Sequence, residues 1–332
     1  MTERYVADSL VDTFWPGDVV VLGDRESKSW ARIVPALGCN LVGFGAEIGG
    51  NDVETFLQPS DESPTQPPSH YGAPVLYPYP NRLRNGQARF AGRTILIDRA
   101  PGQVHAIHGL VRNRPWTIDR LGGGQDAATL CCSIEADQDV LRQFPFPYRL
   151  SLSFQLTGRA LRIDVDAENL GDAPMPMGFG WHPYFRLPLV PGTDRTATIV
   201  QIPARQTWKL DETLVPTGEI AALTVDRDFR SPRALGSTYL DDVYTDLERV
   251  DGASGCTFWT PGGIGLRASA GPTFREWVVY APPTRPTICF EPYTCPTDAF
   301  NLADRGIDAG VIVLEPGGRW TDWMQLELVT RS

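Results

Sequence analysis

Along several stretches of the chain apolar and polar residues alternate with a period of two, the mark of a strand with one covered face. Residues 149–156 alternate in this way throughout, and Leu161, Ile163, Val165 and Ala167 interleave with Arg162, Asp164, Asp166 and Glu168. Thr157-Gly158-Arg159-Ala160 between them predicts the turn of a hairpin. Met324, Leu326 and Leu328 alternate with Trp323, Gln325 and Glu327 near the C-terminal end. Shorter β-type runs fall at 18–22, 31–34, 94–97, 129–134, 277–280 and 287–290. Helical periodicity is weak everywhere, and only 137–143 and 237–249 are helix candidates. The punctuation is dense, with 32 Gly and 29 Pro, mostly between the short runs. Many strands, Gly/Pro turns and almost no helix predict an all-β antiparallel sandwich or barrel. The stretch 61–69 (DESPTQPPS) is the most linker-like. The same strand grammar continues on both sides of it, which predicts a surface loop within one domain spanning 1–332.

Composition narrows the function classes. Of 332 residues 42% are hydrophobic and 21% charged, as in ordinary globular proteins. The net charge of −10 lacks the basic stripe that nucleic acid or an anionic membrane surface requires. No signal-peptide pattern opens the sequence and no run of 18 apolar residues occurs, so neither secretion nor a membrane span is expected. Six cysteines, Cys39, Cys131, Cys132, Cys256, Cys289 and Cys295, form no C-x-x-C. Their spacing fits neither a zinc site nor a disulfide framework, and buried free thiols in a reducing cytoplasm are expected. Nothing in the sequence sets an oligomeric state.

Histidine is scarce: His70, His105, His108 and His182. His105 and His108 form H-x-x-H, whose members face opposite sides of a strand, a poor metal pair. His182 lies in G-F-G-W-H-P-Y-F, where Pro183 imposes an extended conformation. Aromatic rings crowd it, offering a face for the C–H patch of a sugar. Glu291 ends the apolar run 287–290 and precedes Pro292, a place where a carboxylate can act as a base. Asn85-Gly86 in N-R-L-R-N-G predicts a type I′ hairpin turn, with Arg84 beside the turn and Arg82 facing away from it.

These pieces together resemble the aldose 1-epimerase (galactose mutarotase) family. The resembling segments are N-R-L-R-N-G at 81–86, H-G-L at 108–110 with Trp116 beyond, H-P-Y-F at 182–185 and E-P-Y-T-C-P-T-D-A-F-N at 291–301, in the family's order across roughly residues 28–328. The resemblance implies a single large antiparallel β-supersandwich and interconversion of the α and β anomers of an aldose, with no cofactor and no metal. It implies Glu291 as general base and His182 as general acid. It assigns Arg82, His108, Asn81, Tyr184 and Asp241 to the sugar, with Asp242 as the rival of Asp241. Mutarotation needs one proton removed from the C1 hydroxyl and one delivered to the ring oxygen. A glutamate ionised at pH 7 and a histidine titrating near neutrality suit the two tasks.

The chain departs from the family pattern at Leu110, Arg186 and Tyr293, where Gly, Asn and Gln are frequent. H-G-L-V-R-N also resembles the hexose-6-phosphate branch, which implies an anion site built from Arg82, Arg84, Arg112 and Arg114. The free-aldose branch is favoured by H-P-Y-F and by E-P-Y…D-A-F-N. A glycoside hydrolase using Glu291 with Asp241, and a non-catalytic sugar-binding protein, are the rival readings.

Overall fold

A computed structural model describes residues 3–331, and it is almost wholly antiparallel β-structure. The residues 149–168 pattern forms the strands Tyr148–Thr157 and Ala160–Asn169, joined at Gly158. They sit inside a nine-stranded sheet, with the long strand Arg319–Thr330 at its centre. An eight-stranded sheet holds, in order, Pro216–Ala222, Ala204–Leu210, Leu240–Leu247, Glu276–Ala281, Thr287–Tyr293, Gly180–Trp181 and Val75–Leu76, with Tyr184–Arg186 also pairing to Thr287–Tyr293. A five-stranded sheet is built from Tyr5–Leu10 through Asn51–Glu54. One cluster of buried side chains draws on all three, including Leu22, Phe44, Phe154, Phe258 and Phe290. Phe258 of the nine-stranded sheet meets Phe185 and Phe290 of the eight-stranded sheet at ring separations of 6.2 and 5.9 Å. The two large sheets thus bury their inner faces against each other, the supersandwich arrangement expected.

Two expectations need correction. Residues 237–249 are not helical: they contain the strand Leu240–Leu247, paired on both sides. Tyr244 is buried on one face and Val243 on the other, so the strand carries no alternation, and its apolar positions mimic a helix. Asn85 and Gly86 do take the positive φ of a type I′ turn (56° and 67°), but the flanking strands pair elsewhere, Arg82–Leu83 with Ala106–Ile107 and Gln87–Phe90 with Arg93–Leu96. The local chemistry was right and the pairing was not. The helix Ala299–Asp304 carries no sequence signature, because six residues give too little periodicity. The other helix, Gln138–Gln143, forms where expected, with Asp137 capping the Val140 N–H at 2.8 Å.

The stretch 61–69 is a loop as predicted, tied down by Asp61–Arg186 at 2.7 Å and by a bidentate Glu62–Arg285 pair. All six cysteines are free, and five of them are buried. Among the described residues no helix is long and apolar enough to cross a membrane.

Candidate active site

Period-two alternation in the eight-stranded sheet creates the site. On Thr287–Tyr293, Ile288 and Phe290 point into the main core, so Cys289, Glu291 and Tyr293 share the opposite face. Val278 lies opposite Glu291 on the next strand, and Asp241 lies opposite Tyr280 on the strand after that. Glu291 is 1% exposed.

Register also explains the partner of Glu291. Tyr184 pairs with Cys289 and Gly180 with Tyr293, which places His182 directly across from Glu291. His182 Nε2 lies 3.3 Å from Glu291 Oε1. Tyr184, two residues on and on the same face, stacks on the His182 ring with centroids 4.4 Å apart and planes 19° apart. The Tyr293 hydroxyl donates to the other carboxylate oxygen of Glu291. The departure from the family's usual Gln therefore puts a hydroxyl donor on the candidate base.

His108 reaches the site by a backbone device. It adopts φ 66°, and its N–H donates to the Asn81 carbonyl at 2.7 Å. Gly109 follows with φ 66°, and a Cβ there would stand 2.3 Å from the Tyr77 carbonyl oxygen. Only glycine permits that approach. The His108 and His182 rings meet edge to face at 5.2 Å. Asn81, at φ 54°, accepts from Arg82 Nη1 at 2.9 Å and so orients the guanidinium. The segment is pinned by Asp298, whose N–H donates to the Arg82 carbonyl while its carboxylate accepts from the Arg84 N–H and from Asn301 Nδ2. The D-A-F-N motif is thus a scaffold for N-R-L-R-N-G.

These residues enclose a cleft of about 440 Å³, within the range of small-molecule sites (roughly 300–1,000 Å³). Glu291, His182, His108, Arg82, Asn81, Tyr184 and Asp241, the seven residues named from sequence, all line it. Asp241 rather than Asp242 faces the cleft, held by the Tyr239 hydroxyl at 3.1 Å, while Asp242 lies 3.5 Å from Arg227. Ile107, Val278, Gln66, His70, Tyr239, Tyr280 and Arg285 complete the lining, and none of these is a site residue expected from sequence. Tyr280 was legible from its alternation with Val278. Gln66 and His70 come from the linker-like loop and carry no local signal. Of metal-ligating side chains, Cys289 joins His182 and Glu291 at the floor.

Of the four arginines of the suggested anion site, two are taken up in ion pairs, while the half-buried Arg112 lies close enough to His182, His108 and Tyr184 to act on them electrostatically. Arg84 pairs with Asp211 and Asp298, and Arg114 with Asp137 and Asp139. Arg82 alone of the four lines the cleft.

Burial governs the protonation of the site. It drives His182 down to about 3 and holds His108 well below its usual value, helped by the neighbouring His182. It raises Glu291 well above the carboxylate range, with the Tyr293 hydrogen bond acting the other way. Burial thus works against the charged form of each group, in the direction opposite to the ionised glutamate and near-neutral histidine that the ordinary values give. A carboxylic acid facing neutral imidazole and a carboxylate facing imidazolium hold the same single proton. Its transfer across the 3.3 Å gap interconverts them.

Residues 27–327 match the model of a family described as Aldose 1-epimerase. An uncharacterized Escherichia coli protein, YihR, is 26% identical over 269 residues, which cover 76% of this chain and 77% of the relative. Among solved structures, a galactose mutarotase-like protein from Clostridium acetobutylicum superposes with a TM-score of 0.87 at 21% identity, over 99% of each chain. A galactose 1-epimerase from Lactobacillus acidophilus gives 0.76 at 16% identity over 100% of each.

Proposed function

Since this chain belongs to the aldose 1-epimerase family, we propose that it interconverts the anomers of a free aldose by acid/base ring opening, as one domain. The observation that carries the reading is the buried Glu291–His182 contact at 3.3 Å, on the floor of a cleft lined by hydroxyl-binding groups. With the pair's single proton on His182, Glu291 takes the proton of the C1 hydroxyl as the C1–O5 bond breaks, and His182 delivers its proton to O5, leaving the carboxylic acid facing neutral imidazole. The open-chain aldehyde rotates about C1–C2. Closure on the other face runs the same transfers backwards and restores both groups, so nothing is consumed. His108, with Arg82 on its Asn81 anchor, binds the ring and hydroxyl oxygens; Asp241 accepts from hydroxyls, and Tyr184 holds the His182 ring in plane. A positioned acid or base commonly contributes about 10²–10⁴-fold.

The dispersal of Arg84 and Arg114 into ion pairs favours a free aldose over a hexose 6-phosphate. The close pairing of a histidine with Glu291 favours an epimerase over a two-carboxylate glycosidase. Polarimetry or one-dimensional NMR on freshly dissolved α-glucose and α-galactose, with hexose 6-phosphates in the same panel, tests the proposal. Glu291→Gln should lose about 10²-fold or more in rate while retaining sugar binding. An unaltered rate removes Glu291 from its role.

A further inference from the structure

Cys289 has no part in the chemistry above, yet it stands two residues before Glu291 on the same strand face, opposite Tyr184 on one side and Tyr280 on the other. Its thiol is wholly buried. Its Sγ, a ring nitrogen of His182 and a carboxylate oxygen of Glu291 all lie within 4.8 Å of one another. Among the described residues no other three His, Cys, Asp or Glu side chains converge in this way.

Bonds of about 2.0–2.3 Å in tetrahedral geometry set the ligands of a zinc ion roughly 3.3–3.8 Å apart. The Nε2–Oε1 separation already has that value, at 3.3 Å. A sulfur and a nitrogen or oxygen in that geometry stand about 3.5 Å apart, so the thiol, on a strand paired on both sides, need close by no more than about 1.3 Å. One sulfur, one imidazole and one carboxylate form a ligand set that selects zinc-like ions over magnesium or calcium, which prefer all-oxygen shells. Both His182 and Glu291 line the cleft, which leaves a fourth position facing the sugar space.

We propose that His182, Cys289 and Glu291 form a binding site for a soft divalent cation, Zn²⁺ or its surrogate Co²⁺. On binding, the thiol proton and the proton shared by His182 and Glu291 pass to solvent, and three metal–ligand bonds take their place. The carboxylate lone pair that would accept the sugar's proton and the imidazole nitrogen that would carry one to O5 are then engaged by the ion, so the cation is an inhibitor. That consequence rests on the proposed epimerase activity; the binding itself does not.

The test is anaerobic titration of the untagged chain with Co²⁺, following the near-ultraviolet thiolate-to-cobalt charge-transfer band, with parallel polarimetry in Zn²⁺. A single Co²⁺ per chain and a clear band are expected. Zn²⁺ at ten times its Kd should slow anomer interconversion about elevenfold. Cys289→Ser should abolish the band and weaken Zn²⁺ inhibition by more than about 100-fold, since losing a mere outer partner of a metal ligand costs about 10–100-fold. Its activity without metal should persist. Absence of the band in the parent protein, or equal inhibition of the parent and Cys289→Ser, overturns the proposal. Should Cys289→Ser not fold, His182→Gln serves instead, read by Co²⁺ affinity alone, and an affinity equal to the parent's overturns the assignment to this cleft. A cobalt band in a chain without epimerase activity would sink the functional reading and leave the metal site standing.

Discussion

Replacing Glu276 by glutamine should flatten the dependence of stability on pH between about pH 6 and pH 8. Glu276 opens the strand Glu276–Ala281, on the same face as Val278 and the cleft, and is 1% exposed. Its Oε2 has no hydrogen-bond partner among the described residues. Burial pushes the carboxyl up to about 8 from an ordinary 4.5, only partly offset by Thr245 and Trp208 beside it. The folded chain thus keeps a proton that the unfolded chain releases. The stabilisation is complete below the unfolded value and is lost as pH rises through the folded one. At about 1.36 kcal/mol per unit, and with the folded group half ionised at pH 8, the loss between pH 6 and pH 8 comes to about 2 kcal/mol. An unfolding entropy of about 2.1 cal/mol/K per residue makes this a fall of about 3 °C in Tm for a chain of this length. Glutamine does not titrate and should escape that fall. Melting curves or urea unfolding of both proteins at the two pH values provide the assay. A Tm difference between parent and Glu276→Gln that is the same at both would refute the reasoning.

Three other substitutions probe the site. Tyr293→Phe removes a buried donor from Glu291; a hydrogen bond to a charged group contributes about 1.5–3 kcal/mol, so kcat should fall roughly 10–100-fold while KM moves little. Gly109→Ala sets a Cβ against the Tyr77 carbonyl at positive φ and should cost at least about 1–2 kcal/mol in urea unfolding, with a raised KM as His108 shifts. Asp298→Ala leaves the Arg84 N–H and Asn301 unanswered, for a loss of about 1–3 kcal/mol and weaker sugar binding by calorimetry, although Asp298 itself does not line the cleft.

The parts of the fold legible in the sequence were those with one wet face. Tyr148–Thr157 alternates buried and accessible residues along its whole length, and its period was readable. Leu240–Leu247 is covered on both faces near Val243 and Tyr244, and the same code fell silent. The candidate site was legible through short motifs that put a rare polar residue among aromatics or at the end of an apolar run. What stayed hidden depended on distant chain returning to the cleft. His70 and Gln66 arrive on a loop held by the Glu62–Arg285 pair, and no local pattern announces that closure. Cys289 was expected only as a buried thiol. Its shared parity with Glu291 was available in the sequence, but the register that brings His182 opposite was not.

The same parity has an evolutionary cost. Phe290 and Glu291 are neighbours with opposite addresses, one filling the space between the two large sheets and the other flooring the cleft. Sliding Thr287–Tyr293 by one residue against its neighbours would drive a carboxylate into the hydrocarbon interior and present a phenyl ring to the ligand. Insertions or deletions in this strand would therefore destroy interior and chemistry in a single step. New specificities have to be sought in the loops around the rim, where chain length can vary without turning the floor over.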